Sequence, residues 1–151
     1  MEAQLFATEL IVYLPIMDAE HLQIERLLEE LNVAITRSAS PQRKADLLQR
    51  LVKEVGGHFS HEERLMRDSR YPELLWHKRQ HTAARRKLKE LLAAFAEEDF
   101  VTALSRVEAI AAWLTSHISV ADRMLGSHLR NHDREFGGRA NAGTLRRARV
   151  H

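Results

Sequence analysis

The sequence predicts an all-α protein, an up-down-up-down antiparallel four-helix bundle with an N-terminal arm and a short basic C-terminal tail. Three observations carry this expectation. Apolar residues recur at helical spacing from residue 18 to about 132, three short segments rich in turn formers interrupt them, and nothing alternates long enough to make a strand. At 151 residues the chain suits one domain with a single core. The divisions expected are an arm over 1–17, a bundle over 18–132 and a flexible basic tail over 133–151.

Asp18 is expected to cap a first helix carrying Leu22, Leu27, Leu28, Leu31 and Ile35. Ser38-Ala39-Ser40-Pro41 ends it, with Ser40 suited to the next cap and Pro41 to the first helical position. The second helix carries Leu47, Leu48, Leu51, Val52, Val55, Phe59 and Met66, and tolerates Gly56-Gly57 at about 1 kcal/mol per glycine. Tyr71-Pro72 marks the next boundary. The third helix carries Leu74, Leu75, Ala84, Leu88, Leu91, Leu92 and Phe95, and Glu97-Glu98-Asp99 gives a turn. The fourth shows Val101, Leu104, Val107, Ile110, Ala111, Leu114, Ile118, Ala121 and Leu125. Helices joined by such short connections pack as antiparallel neighbours.

Composition narrows the functional classes. The apolar fraction of 44% and charged fraction of 29% are those of a soluble globular protein. The longest apolar run, Leu10 to Met17, is broken by Pro15 and falls well short of the ~20 residues that span a bilayer. Glu2 and Glu9 stand where a signal peptide would be positive. The absence of cysteine excludes disulfides, thiolate metal sites and a cysteine nucleophile. A cytoplasmic location without membrane attachment is therefore expected, as a monomer or small oligomer. The net charge of +2 conceals an asymmetry, because from Gly137 onward there are four arginines, Arg139, Arg146, Arg147 and Arg149, and no acids. Four arginines without aromatic residues are a weak nucleic-acid signal, so nucleic acid is not expected as a partner and the tail is reserved for a protein partner.

The chemistry is concentrated in the histidines, of which there are nine. His58 and Glu62 are four apart on the second helix, and His77 and His81 are four apart on the third. His117 is followed by Asp122 on the fourth, and His21 opens the first. A spacing of four places two side chains on one face, one turn apart. Each pair alone is a weak signal, but the bundle tests them jointly. His21 and His58/Glu62 lie about 19 and 20 residues either side of the first turn, and His77/His81 and His117/Asp122 about 19 and 21 either side of the third. All seven then fall within about one helical turn of the same height. Burying five histidines and two carboxylates at one level without a metal would carry a heavy desolvation cost.

Imidazole with carboxylate suits iron, zinc or copper, and seven donors are too many for one ion. Two ions use them naturally if Glu62 and Asp122 bridge, leaving five histidines to divide as three and two. With one solvent-derived oxygen bridge, the three-histidine metal is saturated and the other keeps an open position where a small diatomic molecule could bind. Enzymatic di-iron bundles use mostly glutamates around paired Glu-x-x-His motifs. Five neutral imidazoles instead favour stopping at reversible electron transfer to the ligand.

The pattern of His21, His58-Phe59-Ser60-His61-Glu62, His77-Lys78-Arg79-Gln80-His81 and His117-Ile118-Ser119-Val120-Ala121-Asp122 resembles the haemerythrin family, especially its bacterial members. Asp18, Glu63, Met66, Tyr71-Pro72 and Trp113-Leu114 also fit, and the similarity spans about residues 10 to 126. The resemblance implies two iron ions, oxo- or hydroxo-bridged, with His77, His81 and His117 on the saturated iron. It places His21 and His58 on the iron that takes dioxygen, Glu62 and Asp122 as bridges, and Phe59, Trp113, Leu114 and Ile118 around the oxygen pocket. The implied function is reversible oxygen binding for storage, delivery or sensing. The alternative is a di-iron redox enzyme acting on oxygen, peroxide or nitric oxide, and the absence of any further acid, base or substrate cleft speaks against it. Two features depart from the family: the arm lacks the usual tryptophan, and the basic tail lies outside the family domain.

Three features read as solvated surface: His61, His128 with His132 near the end of the fourth helix, and the run Arg85-Arg86-Lys87-Lys89. His117 and Asp122, five apart, are rotated about 140° on an ideal helix. Asp122 is therefore expected to reach in from the side.

Overall fold

The computed structural model describes residues 4–6 and 10–134, and the tail expected from residue 133 falls outside them from residue 135 onward. Four long rods run in order: α1 (Pro15–Thr36), α2 (Pro41–Asp68), α3 (Leu74–Ala96) and α4 (Phe100–His117). The last continues through a π-helical turn, Ile118–Asp122, into α5 (Arg123–His132). No strand occurs among the described residues. α1 packs on α2 and α4, and α3 on α2 and α4, so the four rods form an antiparallel square.

The ends of the helices explain how so short a set of connections suffices. Ser40 Oγ accepts from the Arg43 N–H at 3.1 Å ahead of Pro41, and Asp99 Oδ1 accepts from the Thr102 N–H at 3.1 Å. At the C-terminal ends of α1, α2 and α3 the chain turns through a left-handed residue: Ser38, Arg70 and Glu98, with φ of 53°, 54° and 52°. Each turn carries the paired backbone hydrogen bonds of a Schellman motif, for example Ala39 N–H to Ala34 O at 2.9 Å and Ser38 N–H to Ile35 O at 3.2 Å. None of the three is glycine, so each stop carries a left-handed strain of about 1–2 kcal/mol.

Asp18 does not cap α1. The helix begins at Pro15, and the Asp18 carboxylate accepts the Val12 N–H at 2.8 Å, tying the arm to the first turn. Phe6, Leu10 and Val12 of the arm are buried, and the Val12 carbonyl accepts from the Arg130 guanidinium on α5. The core fills the square with Leu27, Leu28, Leu31, Leu47, Leu51, Leu91 and Val107, while Met17, Met66 and Leu125 are fully buried toward the opposite end.

Two kinds of glycine should respond oppositely to alanine. Gly56 and Gly57 are exposed in α2 with open space where a Cβ would stand, so alanine at either should stabilise the fold by about 1 kcal/mol. At Gly126 a Cβ would lie 2.9 Å from the Val12 carbonyl oxygen. Gly126→Ala should therefore lower the melting temperature despite its better helix propensity, because it pushes the arm off α5. Thermal denaturation of the three variants checks both signs.

Candidate metal centre

The layer that holds the seven predicted side chains is built by four rods at once. His21 lies in α1, His58 and Glu62 in α2, His77 and His81 in α3, His117 at the end of α4 and Asp122 at the end of the π turn. The structure brings all seven together, and each is at most 3% exposed. Glu62, His77, His81 and His117 form one group of donor atoms and His21, His58, Glu62 and Asp122 a second, all atoms in each within 4.8 Å of one another.

The two carboxylates span the groups oxygen by oxygen. Glu62 Oε1 lies 3.2 Å from His58 Nε2 and 3.9 Å from His21 Nε2, whereas Oε2 lies 2.9 Å from His81 Nε2 and 3.2 Å from His77 Nε2. Asp122 Oδ2 lies 2.9 Å from His21 Nε2, whereas Oδ1 lies 3.0 Å from His117 Nε2 and 3.1 Å from His77 Nε2. The five-residue interval between His117 and Asp122 has a different basis from the one expected. The π turn bonds i to i+5 and so adds a residue to the helical turn, which carries Asp122 round to the His117 face while α5 continues the rod.

The donor set fits cations. Glu62 Oε1, both Asp122 oxygens and His117 Nε2 are buried without a hydrogen-bond partner, and His21 and His58 face each other Nε2 to Nε2 at 3.1 Å. Buried charge left in that state is costly unless a positive ion completes it. In the bare protein, protons take that place. Burial opposes charge on His58, yet the Glu62 and Glu20 carboxylates hold its pKa up at about 10, and against the same burial Asp122 and Glu62 hold His77 at about 9. Burial lowers His117. Burial also opposes charge on Glu62 and Asp122, but the surrounding imidazoles outweigh it and keep both carboxyls well below their usual range. Metal uptake at such a site releases protons.

Three outer contacts escaped the sequence reading. His81 Nδ1–H donates to Glu63 at 3.2 Å, His117 Nδ1–H to Gln80 Oε1 at 2.7 Å, and His58 Nδ1–H to Glu20 at 3.3 Å. Each leaves Nε2 as the lone-pair nitrogen facing inward. Glu20 and Gln80 directly precede His21 and His81 in sequence, but they act on histidines of other helices, which no local spacing reveals.

The surface readings also change. His61 is only partly exposed and donates to Glu20 at 2.8 Å. The run Arg85-Arg86-Lys87-Lys89 does lie on a largely exposed face, from which Arg85 bonds Glu63 at 3.4 Å and lies over the Phe59 ring, 5.3 Å from its centre. His128 is half-buried, and its Nε2–H donates to the Ser69 carbonyl at 3.0 Å, pinning α5 to the end of α2. Of the four expected pocket residues, Phe59, Leu114 and Ile118 are buried and Trp113 partly so. Phe59 stacks on His81 at 3.9 Å and Trp113 on His117 at 4.4 Å, while the Phe59 ring stands 6.0 Å from that of His58. The two aromatic residues thus lie against the His77/His81/His117 group.

The sequence pattern of the hemerythrin HHE cation binding domain matches residues 13–129, which include all seven clustered side chains. The chain belongs to the hemerythrin family. Among its relatives, the bacteriohemerythrin of Stenotrophomonas maltophilia (strain R551-3) is 29% identical over 138 residues, covering 89% of this chain and 87% of that one. The bacteriohemerythrin of Aquifex aeolicus (strain VF5) is 29% identical over 116 residues, covering 75% of this chain and 87% of its own length. No solved structure matches. As a hemerythrin-family domain, the chain presents a histidine–carboxylate cluster of the kind that binds cations, and no described helix is long and apolar enough to cross a membrane.

Proposed function

We propose that this hemerythrin-family domain holds two iron ions and binds dioxygen reversibly, serving storage, delivery or sensing rather than catalysis. The observation that supports this most is the pair of carboxylates whose two oxygens each face a different histidine group, three histidines on one side and two on the other. In this reading His77, His81 and His117 hold one iron, His21 and His58 hold the other, and Glu62 and Asp122 serve both. The iron pair, when bound, supplies the electrons that hold dioxygen reversibly.

The chain's own residues do the rest. Five neutral imidazoles donate less charge than carboxylates, which disfavours the high oxidation states that oxygen activation needs. Glu63, Gln80 and Glu20 fix the histidine tautomers from outside. Leu114 and Ile118, both buried, exclude water, while Phe59 and Trp113 limit ring movement of His81 and His117 by stacking. Elemental analysis of protein produced with ample iron should give about two irons per chain, as the division of seven donors requires. Its absorption spectrum should change reversibly between air and argon. One zinc and no iron would overturn the di-iron reading, and rapid multiple turnover with an added reductant would favour a redox enzyme.

A further inference from the structure

Each histidine group has one imidazole whose outer nitrogen is buried without a hydrogen-bond partner, His77 Nδ1 in one and His21 Nδ1 in the other, and the remaining rings are held from outside. In the three-histidine group, His81 and His117 each have an outer partner, Glu63 and Gln80. In the two-histidine group, His21 Nδ1 is buried without a hydrogen-bond partner, so His58 alone has an outer partner among the described residues, and that partner is Glu20. Glu20 comes from α1 and His58 from α2, so the contact crosses the seam between the two helices. Its Oε1 accepts from His58 Nδ1–H at 3.3 Å and from His61 Nδ1–H at 2.8 Å. His61 shares that oxygen from the solvent side, where its own side chain is 22% exposed.

We propose that Glu20 is a positioning residue for the iron of the two-histidine group: it locks His58 as the Nδ1–H tautomer, aims Nε2 inward and lends negative charge to the ring. The inference rests on the di-iron reading above and adds a residue outside the seven donors. The physical basis is general, since a carboxylate on the far nitrogen of a ligating imidazole fixes its orientation and raises its basicity, and losing such a partner weakens metal binding about 10- to 100-fold. The stronger bond to His61 does not compete for His58, because one carboxylate oxygen has room for two donors.

The test is an anaerobic iron(II) titration against a competing chelator, with Mössbauer spectra, on full-length wild type, Glu20→Ala, Glu20→Gln and His61→Ala. Glu20→Ala should weaken one of the two irons about 10- to 100-fold and leave the other unchanged. Glu20→Gln keeps an oxygen acceptor, so it should stay near wild-type affinity while the midpoint potential rises through loss of the negative charge. His61→Ala should retain both irons. Wild-type affinity for both irons in Glu20→Ala would overturn the assignment, and so would equal weakening in Glu20→Ala and His61→Ala, which would make the contact a helix brace. A wild-type chain that takes up no iron pair would instead bring down the di-iron reading on which the assignment stands.

Discussion

Glu62→Ala is expected to abolish the paired site, taking bound iron from about two per chain to well below one, because it removes a donor shared by both ions. Its two oxygens lie at 2.9 and 3.2 Å from the nearest histidine nitrogens of the two groups, so its loss leaves Asp122 to span both groups alone. The loss also unbalances the remaining cluster, since Glu62 is the main charge holding His58 protonated in the bare protein. His61→Ala, one residue away, should leave iron content and spectrum intact. His61 points away from the cluster, and its removal leaves Glu20 still bonded to His58. Iron analysis of the two variants beside wild type makes the comparison, and similar losses in both would disprove the face assignment on α2.

Leu114→Ala is expected to change oxygen chemistry more than it changes the fold. Leu114 is buried, three residues before His117 and therefore one turn from it on roughly the same face. Truncation should cost about 2–5 kcal/mol, depending on how far the site collapses, with the bundle and its metal content retained. The space left admits water beside the cluster, so conversion of the oxygenated form to the ferric form should accelerate. Leu91→Ala is the matched control: Leu91 is also fully buried but lies ten residues beyond His81 on α3, about 15 Å along the helix. Autoxidation followed by absorbance in both variants separates packing from access, and equal rates would reduce Leu114 to a core residue.

Much of this protein is legible in its residues. Periodicity in Leu27, Leu28, Leu31, Leu47, Leu51, Leu91 and Val107 marks the buried faces, and Ser40-Pro41 marks a helix start. Because helix rise is constant and the connections are short, counting residues from each turn is enough to place seven donor side chains at one height. Secondary structure and axial position are local properties, set by spacing along one chain segment.

What lies beyond local spacing is decided by packing. Asp18 has the chemistry of a cap, but the arm returns to α1, so its carboxylate takes the Val12 N–H instead. Gly126 has the composition of an ordinary weak helical position, yet Val12 lies directly against it. His61 and His128 read as solvated residues, and Glu20 and Gln80 carry no signal of their own, because their partners lie 41, 59, 38 and 37 positions away in sequence. The π turn is the sharpest case. A five-residue interval between His117 and Asp122 points the two apart on a regular helix, and the wider π turn is what brings both to the same buried cluster. The sequence alone determined the helices and the height at which their polar residues gather. The tertiary structure decided which atoms face one another, because hydrogen bonds and ion pairs across helices depend on rotation and separation that no single helix specifies.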